Sequence, residues 1–279
     1  MISVITINYN NKTGLEHTIR SVQEQHRKVY EHILIDGAST DGSVEVLDSH
    51  KDHFSYAISE PDTGVYQAMN KGIRAATGNY LLFLNSGDVL IDKNILDKVS
   101  PLLNEGSAIY FGDLVFCDDK GNEDTIIYPK ELSFSFFYEK SLGHPATFIK
   151  RSVFDDVFYY NEDLKIASDW EFFICAICKY NVSYKHLNMI IAKFFTDGMS
   201  TELNNIEIIN KERTACLKRH FPLFLKDTQR LIEYRSLGET NRFKMLAALE
   251  SSAFARKVNS FMLRVLLILT KGKQSSDLK

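Results

Sequence analysis

The fold is decided by one short segment, Tyr80-Leu81-Leu82-Phe83-Leu84, which is followed directly by Asn85-Ser86-Gly87-Asp88. Five consecutive apolar residues without polar alternation are typical of a strand buried on both faces, as at the centre of a parallel sheet. Residues 63–77 precede this strand with a helical pattern whose apolar face is made by Val65, Met69, Ile73 and Ala76. The segment therefore predicts a helix followed by a central strand, with polar residues where the strand ends.

The same alternation runs through the first ninety residues. Strand patterns at 2–7, 31–36 and 54–59 are separated by helical patterns at 14–25 and 42–51. This order predicts an α/β fold with a doubly wound, Rossmann-like and mostly parallel open sheet. Beyond residue 205 the pattern is helical. We therefore predict one domain over residues 1–200 and a helical extension over residues 201–279.

Charge differs between these two segments, although the net charge of the chain is only −3. Residues 1–200 carry 18 basic and 28 acidic side chains, whereas residues 201–279 carry 15 basic and 8 acidic ones. A basic helical tail can meet anionic lipid, an acidic partner or nucleic acid, and it is equally consistent with a solvated helical surface. The charge alone does not decide between them.

Composition excludes several classes of protein. With 44% hydrophobic and 25% charged residues, the 279-residue chain is globular rather than disordered. Four scattered cysteines do not make a disulfide framework, which favours a reducing compartment. Cys175 and Cys178 lie in an apolar helical pattern, so core packing is the better interpretation of this pair. We find no secretory signal, and the longest apolar run, residues 265–269, is too short to span a bilayer.

Polar residues follow each of the four predicted strands. They are Asn8-Tyr9-Asn10, Asp36-Gly37-Ala38-Ser39, Ser59-Glu60-Pro61-Asp62 and Asn85-Ser86-Gly87-Asp88. Ligands of open α/β sheets bind outside the carboxyl ends of the strands, and carboxylates there suit a divalent cation that bridges phosphates. The glycine-rich dinucleotide and P-loop motifs, the nucleophile elbow and the HExxH motif are missing from the sequence. This leaves a nucleotide site built from carboxylates, amides and a metal.

These segments resemble a known family. The chain is similar to GT-A-fold glycosyltransferases of family 2, of the type used in bacterial polysaccharide and O-antigen assembly. Residues 2–10 resemble the family's opening strand VSVIIPTYN, and residues 35–43 resemble its VDDGSTDGS loop. Residues 59–73 match a subgroup motif close to SEPDxGIYDAMNKGI, and residues 76–88 resemble the strand that enters the DxD site. The resemblance covers about residues 1–200.

The resemblance implies an enzyme that transfers a sugar, with inversion, from a nucleoside-diphosphate sugar to a glycan or polyprenyl-linked acceptor. UDP is the family's usual nucleotide, and cell-surface polysaccharide is the expected product. The residues expected to bind the nucleotide sugar are Asn8, Tyr9, Asn10, Asp36, Asp62, Asn70, Lys71, Asn85, Ser86 and Gly87. For Lys71, a solvated position on the helix surface is an equal alternative.

The DxD site departs from the family pattern. The family commonly has DxDD here, whereas this chain has Asn85-Ser86-Gly87-Asp88, so Asp88 is the acid left to bind a metal. The resemblance implies Mn²⁺ or Mg²⁺ as cofactor, and one carboxylate plus substrate phosphates can hold such an ion. The altered motif also motivates an alternative, a non-catalytic module that binds a sugar nucleotide or a glycan. A nucleotidyltransferase is disfavoured, because the loop after the first strand lacks glycines.

The catalytic base is expected in residues 164–172, which resemble the family segment that carries it. We assign the base to Asp169, with Glu171 as the reserve candidate; the alternative for Asp169 is an acid favoured by the helix dipole. Trp170 can stack on a sugar or pack in the core, and His144 can contact the acceptor or be structural. Residues 196–200 resemble a family loop that closes over the site.

The same observations predict the cellular location of the enzyme and the surfaces that it contacts. We predict a cytoplasmic protein without a nucleic-acid partner. Residues 240–273 combine apolar and basic side chains at helical spacing, which suits contact with an anionic membrane on the inner face of the plasma membrane. A dimer seam, or packing onto the catalytic domain, is equally consistent with this pattern.

Overall fold

The structure, a computed structural model, describes residues 1–26, 30–118, 120–195 and 205–274. The chain forms two compact units, Met1–His220 and Phe221–Lys279. The first unit therefore extends past the predicted boundary at residue 200. The reason is the side chain of Glu212, which accepts hydrogen bonds from the backbone N–H groups of Lys165, Ile166 and Ala167 at 2.7–3.1 Å. These bonds tie the helix that carries Glu212 to the α/β unit.

The first half of this unit confirms the predicted alternation. Its elements are β1 (Ile2–Asn8), α1 (Lys12–Gln23), β2 (Tyr30–Asp36), α2 (Ser43–Ser49), β3 (Tyr56–Ser59), α3 (Val65–Ala75) and β4 (Tyr80–Phe83). Strands β1 and β2, β2 and β3, and β1 and β4 are parallel neighbours. Every residue of β1 and β4 is buried, as their apolar runs require. The carboxyl ends of all four strands consequently meet at one edge.

The second half of the unit adds mixed pairing. Its elements are β5 (Val89–Leu90), α4 (Ile95–Val99), β6 (Ile109–Cys117), β7 (Glu123–Ile126), α5 (Phe134–Glu139), β8 (Thr147–Lys150), α6 (Ser152–Asp156), α7 (Ser168–Cys178), β9 (Tyr184–Phe195) and α8 (Ile206–His220). The strand order is β3-β2-β1-β4-β8-β6-β9-β5, and β7 pairs with β6. The predicted α/β fold class is thus confirmed.

One antiparallel pairing matters for the site. Strand β8 runs antiparallel to β4, with Leu82 opposite Phe148 and Tyr80 opposite Lys150. The residues just before β8, the short 3₁₀ turn His144–Ala146, therefore lie beside the carboxyl end of β4. The pairing carries His144 to the edge where the polar strand ends meet.

The second unit is helical. It contains α9 (Leu225–Glu239), α10 (Asn241–Glu250) and α11 (Ala253–Gln274). The helical pattern after residue 240 forms two helices, which are separated at residues 251–252. The Thr240 hydroxyl caps the start of α10 by accepting a hydrogen bond from the N–H of Phe243 at 3.3 Å. Within the described part of the chain, no helix has the length and apolar character needed to cross a membrane.

Of Cys175 and Cys178, Cys175 packs in the core, as predicted, and Cys178 is partly buried. Cys175 is fully buried in α7, and Cys178 lies at the end of the same helix. Burial raises the pKa of the Cys175 thiol to about 12 and that of Cys178 to about 11, so both stay protonated at neutral pH. Neither thiol is a reactive thiolate.

A buried histidine makes the stability of the α/β unit sensitive to acid. His32 on β2 lies 2.9 Å from the Thr6 hydroxyl and 2.8 Å from a ring nitrogen of His53. Burial, together with the adjacent His53, lowers the pKa of His32 well below its ordinary value of 6.5. The unfolded chain therefore binds more protons below about pH 6.5, and folding stability falls as the pH drops through that range.

We expect the melting temperature to fall between pH 7.5 and pH 5.5, and to fall less in His32→Gln. The matched control is His17→Gln, at an exposed position of α1, which should keep the wild-type dependence. Calorimetric melting at both pH values measures the effect. Equal slopes for wild type and His32→Gln would show that His32 is not the group responsible.

Candidate active site

A cavity of about 410 Å³ lies at the edge where the parallel strands end. Its wall includes residues 85–88 after β4, Tyr66 on α3, His144 before β8, Asp169 on α7 and Arg213 on α8. The volume falls within the range of small-molecule sites, and the position is the one that open α/β sheets use for ligands. The sheet and α8 thus bring together residues that are far apart in the sequence.

The loop after β4 is held by hydrogen bonds of its backbone. The Thr18 hydroxyl accepts from the N–H of Gly87 at 3.0 Å and lies 2.8 Å from the carbonyl oxygen of Asp88. The Asn11 amide donates to the Ser86 carbonyl at 3.1 Å. Gly87 adopts a φ of +107°, a conformation that residues with a Cβ rarely take. The glycine in the altered DxD motif therefore matches the shape of this turn.

Two oxygen-bearing side chains of this loop form part of the cavity wall. Asp88 is only 5% exposed, and Asn85 lines the same wall. The Oδ1 atom of Asn85 is buried without a hydrogen-bond partner. A buried acceptor left in this state costs free energy unless a ligand, water or ion satisfies it. Ser86 and Gly87 complete the predicted loop set at the cavity.

Asp169 is the acid of α7 that reaches the cavity. Its side chain is 26% exposed, and its Oδ1 lies 2.8 Å from the Tyr66 hydroxyl. The Tyr66 hydroxyl also contacts the Ile166 carbonyl, so its one proton is shared between two acceptors. Burial and the nearby Asp169 charge raise the pKa of Tyr66 well above 10, so this hydroxyl remains a donor. Asp169 is therefore positioned while part of its carboxylate stays accessible.

His144 lies on the other side of this carboxylate. Its Nδ1 is 3.8 Å from Asp169 Oδ2, and its Nε2 is 2.9 Å from the Tyr160 hydroxyl. Burial lowers the pKa of His144, and the Asp169 charge opposes this effect only in part. A neutral imidazole between Asp169 and Tyr160 follows, and its ring lines the cavity.

Glu171 lies outside the cavity. Its side chain is 3% exposed, with Oε1 2.8 Å from His220 Nε2 and 3.7 Å from Arg219. These contacts link α7 to the end of α8. The geometry leaves Asp169 as the acid of this helix that faces the cavity, and Glu171 as a buried link between two helices.

Trp170 is packed in the core. It is 1% exposed, and its indole N–H donates to the Phe137 carbonyl. The Arg213 guanidinium lies over its ring, 5.0 Å from the centroid. Part of the indole reaches the cavity wall, but the face covered by Arg213 is not open for stacking on a sugar.

Asp36 and Asn8 are buried at the carboxyl ends of β2 and β1, where their side chains hold the following loops by hydrogen bonds. Both are 1% exposed, and the Asn8 amide donates to Asp36 at 2.7 Å. Asp36 also accepts from the hydroxyls of Ser39 and Ser59, each at 2.6 Å. Burial alone would raise the pKa of Asp36, but these hydrogen bonds hold it below its ordinary value. The two residues shape the loops of the edge and do not line the cavity.

Three other predicted nucleotide residues lie on these loops. Tyr9 is 67% exposed at the end of β1. The Asn10 side chain accepts from the N–H of Thr40 at 2.8 Å, and the Asp62 carboxylate accepts from the N–H of Gly64 at 3.0 Å. Tyr9 thus offers an open aromatic face at the same sheet edge, outside the cavity itself.

Asn70 and Lys71 are engaged by the protein. The buried Asn70 amide donates to the Tyr160 carbonyl and to Glu162, both at 2.8 Å. The Lys71 ammonium pairs with Glu60 at 2.7 Å on the helix surface. Neither residue lines the cavity. The predicted closing loop, residues 196–200, lies outside the described residues.

The sequence analysis assigned no role to several cavity residues, among them Tyr66 and Arg213. Tyr66 stands inside the 59–73 motif, so its position in that motif was the available signal. Arg213 lies in a segment with no motif, and only the fold brings it to the cavity. In the described ranges there is no cluster of three or more His, Cys, Asp or Glu side chains that could hold a metal.

Comparison with known proteins identifies the family. The sequence model of Glycosyl transferase family 2 matches residues 3–158, more than half of the chain. The chain belongs to glycosyltransferase family 2. This family 2 glycosyltransferase is 32% identical over 231 residues to an uncharacterized glycosyltransferase of Mycobacterium tuberculosis (strain H37Rv), covering 79% of this chain and 85% of that protein. It is 32% identical over 113 residues to the putative teichuronic acid biosynthesis glycosyltransferase TuaG of Bacillus subtilis (strain 168), covering 39% and 44%.

Solved structures confirm the GT-A fold of this glycosyltransferase. Staphylococcus aureus TarS 1–349 in complex with UDP-GlcNAc matches with a TM-score of 0.63 at 17% identity, covering 79% of this chain and 67% of that chain. In its complex with UDP the match spans 60% of the TarS chain. The mannosyltransferase PcManGT of Pyrobaculum calidifontis, in complex with GDP-Man and Mn²⁺, matches with a TM-score of 0.53 at 16% identity, covering 100% and 88%.

Proposed function

We propose that this glycosyltransferase is an inverting enzyme that uses a UDP-sugar and a divalent metal ion, with a glycan or lipid-linked acceptor of cell-surface polysaccharide. The observation that carries the proposal is the presence of Asp88 and Asp169 on the wall of one cavity. In this proposal one acid holds the donor and the other activates the acceptor. TuaG, a relative named for teichuronic acid biosynthesis, supports the choice of acceptor class.

The donor half of the site fits a hard cation. The Asp88 carboxylate and the unsatisfied Asn85 Oδ1 are oxygen ligands of the type that Mg²⁺ and Mn²⁺ prefer, and donor phosphates can complete the coordination. When bound, such an ion supplies positive charge to the departing diphosphate. The Thr18 hydroxyl and the Asn11 amide hold the loop, so the two oxygens are positioned before the donor arrives.

The acceptor half of the site needs a base. An acceptor hydroxyl that attacks the anomeric carbon must lose its proton, and Asp169 takes that proton while the nucleoside diphosphate leaves from the opposite face of the sugar. The Tyr66 hydroxyl fixes the orientation of the carboxylate through Oδ1, and Oδ2 remains available. Attack from the face opposite the leaving group gives inversion at the anomeric carbon.

A thermal-shift panel tests the donor. UDP-, GDP- and dTDP-sugars are compared with and without Mn²⁺, since TarS was solved with UDP-GlcNAc and PcManGT with GDP-Man. We expect UDP-sugars with Mn²⁺ to give the largest shift in melting temperature. A ligand at 100 times its Kd stabilises the folded state by about 2.7 kcal/mol, so the preferred donor should stand out. A larger shift with a GDP- or dTDP-sugar would change the nucleotide assigned to the donor. No shift with any nucleotide sugar would refute the proposed donor class.

We propose that α11 binds an anionic membrane surface. Seven apolar side chains at helical spacing are 40–79% exposed: Phe254, Val258, Phe261, Met262, Val265, Leu266 and Leu269. The helix contains five basic residues and no Asp or Glu. Lys257 and Arg264 lie to the sides of the apolar face, where they can meet lipid phosphates, whereas Arg256 pairs with Glu250 at 3.8 Å. An apolar face with basic flanks is the composition of an interfacial helix.

We expect the protein to sediment with vesicles containing phosphatidylglycerol and not with pure phosphatidylcholine vesicles. Binding should weaken in 0.5 M salt, and in a Lys257→Glu/Arg264→Glu variant. Lys51→Glu, an exposed charge reversal in the first unit, is the matched control and should bind as wild type does. Failure to bind anionic vesicles at low salt would refute the proposal. Light scattering on Phe261→Asp examines the alternative of a dimer seam.

A further inference from the structure

The Arg213 guanidinium occupies an unusual position in the cavity wall. It lies over the Trp170 ring, and its Nε is buried without a hydrogen-bond partner. The neighbouring Glu212 fixes α8 to the start of α7 by accepting from three backbone N–H groups. Trp170 is held in turn by the Phe137 carbonyl. The guanidinium thus lies against a fixed indole ring on an anchored helix, and its Nε keeps an unused hydrogen-bond donor.

The charge of Arg213 lacks an ion-pair partner among the residues that the structure describes. The acid that acts on it electrostatically is Asp169, at a distance beyond that of an ion pair. The Arg213 side chain is half-buried and its Nε is fully buried, so an anionic ligand group in the cavity would offset the cost of removing this charge from water. Lys165, also on the cavity wall, adds a second positive charge next to α7. Two cations and two carboxylates therefore share the cavity.

We propose that Arg213 binds a phosphate group of a substrate in this cavity, with Lys165 adding to the positive charge. The planar guanidinium can donate two parallel hydrogen bonds to phosphate oxygens, which an ammonium group cannot do. This inference rests on the proposed function, because a nucleotide-sugar transferase with a lipid-linked acceptor offers two phosphate sources. One is the diphosphate of the donor, and the other is a phosphate of the acceptor.

The experiment compares wild type, Arg213→Gln and Arg213→Lys by calorimetry with three probes. These are UDP, uridine, and methyl phosphate added to enzyme saturated with UDP and Mn²⁺. If the donor is the source, Arg213→Gln loses about tenfold or more affinity for UDP and keeps its affinity for uridine. If the acceptor is the source, affinity for UDP is unchanged and that for methyl phosphate falls about tenfold or more. Arg213→Lys should retain part of the binding in either case.

Lys211→Gln, on an exposed position of the same helix, is the matched control and should bind every probe as wild type does. Unchanged affinity of both Arg213 variants for UDP and for methyl phosphate would overturn the inference. If Arg213→Gln does not fold, Arg213→Lys supplies the same comparison. Failure of the proposed function has a different signature, because wild-type enzyme would then not bind UDP with Mn²⁺.

Discussion

Asp169→Asn is expected to lower the rate of sugar transfer from a UDP-sugar about 100- to 10,000-fold, whether the sugar goes to the acceptor or to water. This is the usual contribution of a positioned general base, and an amide cannot take the proton of the attacking hydroxyl. Asn is nearly isosteric with Asp, and its side-chain oxygen can still accept the hydrogen bond from Tyr66. The fold and the affinity for UDP should therefore be unchanged.

The measurement is the initial rate of UDP production, together with the Kd for UDP in the presence of Mn²⁺. The matched control is Asp163→Asn, an exposed acid in the loop before α7, which should keep the wild-type rate. Glu171→Gln tests whether the second acid of α7 also contributes to turnover. Because Glu171 is paired with His220 away from the cavity, this variant should mainly lower the melting temperature. Wild-type turnover in Asp169→Asn would show that another group is the base.

The sequence was sufficient where local pattern and chain order determine position. The apolar runs of β1 and β4 predicted buried parallel strands, and parallel strands must end at the same edge. Residues 85–88 consequently lie at a cavity, as expected. Asp169 was assigned through the family resemblance, and the structure places its carboxylate in the same cavity. Its catalytic role remains a prediction that only the kinetic comparison can decide.

Other features depended on contacts that no local pattern contains. The position of His144 follows from the antiparallel register of β8 against β4. The pairing of Glu171 with His220, and the contact of Arg213 with Trp170, require α8 to pack on α7. The extent of the first unit also depends on α8, through Glu212. Sequence spacing could not separate Asp169 from Glu171, because both stand in the first turn of the same helix.

The same limit explains why several predicted nucleotide residues lie apart from the cavity. Asn8, Asp36 and Asn70 belong to motifs of the family, but their side chains form hydrogen bonds within the protein, and among these three Asn8 alone keeps a buried atom, Oδ1, without a partner. Their polar chemistry holds the loops and α3 in place. A motif shows that such residues stand together in the sequence. It does not show whether a side chain faces the ligand or supports the loop that does.

Asp88→Asn is expected to remove the Mn²⁺-dependent part of the affinity for UDP and to lower turnover more than a hundredfold, since a metal ion contributes several kcal/mol to stabilising a departing diphosphate. An amide oxygen cannot replace the carboxylate charge, and the other metal ligand proposed on this loop, Asn85 Oδ1, is also neutral. The Asp88 backbone carbonyl still lies against the Thr18 hydroxyl, so the loop should keep its shape. Titration calorimetry with UDP, in Mn²⁺ and in EDTA, measures the effect.

Asp124→Asn, an exposed acid on β7, is the matched control and should show the full wild-type difference between Mn²⁺ and EDTA. Together with Asp169→Asn, the experiment separates the two halves of the site. The Asp169 variant should keep the metal-dependent affinity for UDP and lose turnover, whereas the Asp88 variant should lose both. An Asp88→Asn enzyme whose UDP affinity still rises with Mn²⁺ would refute the metal assignment. Arg213 and Lys165 would then be the remaining positive charges on the cavity wall able to stabilise the leaving diphosphate.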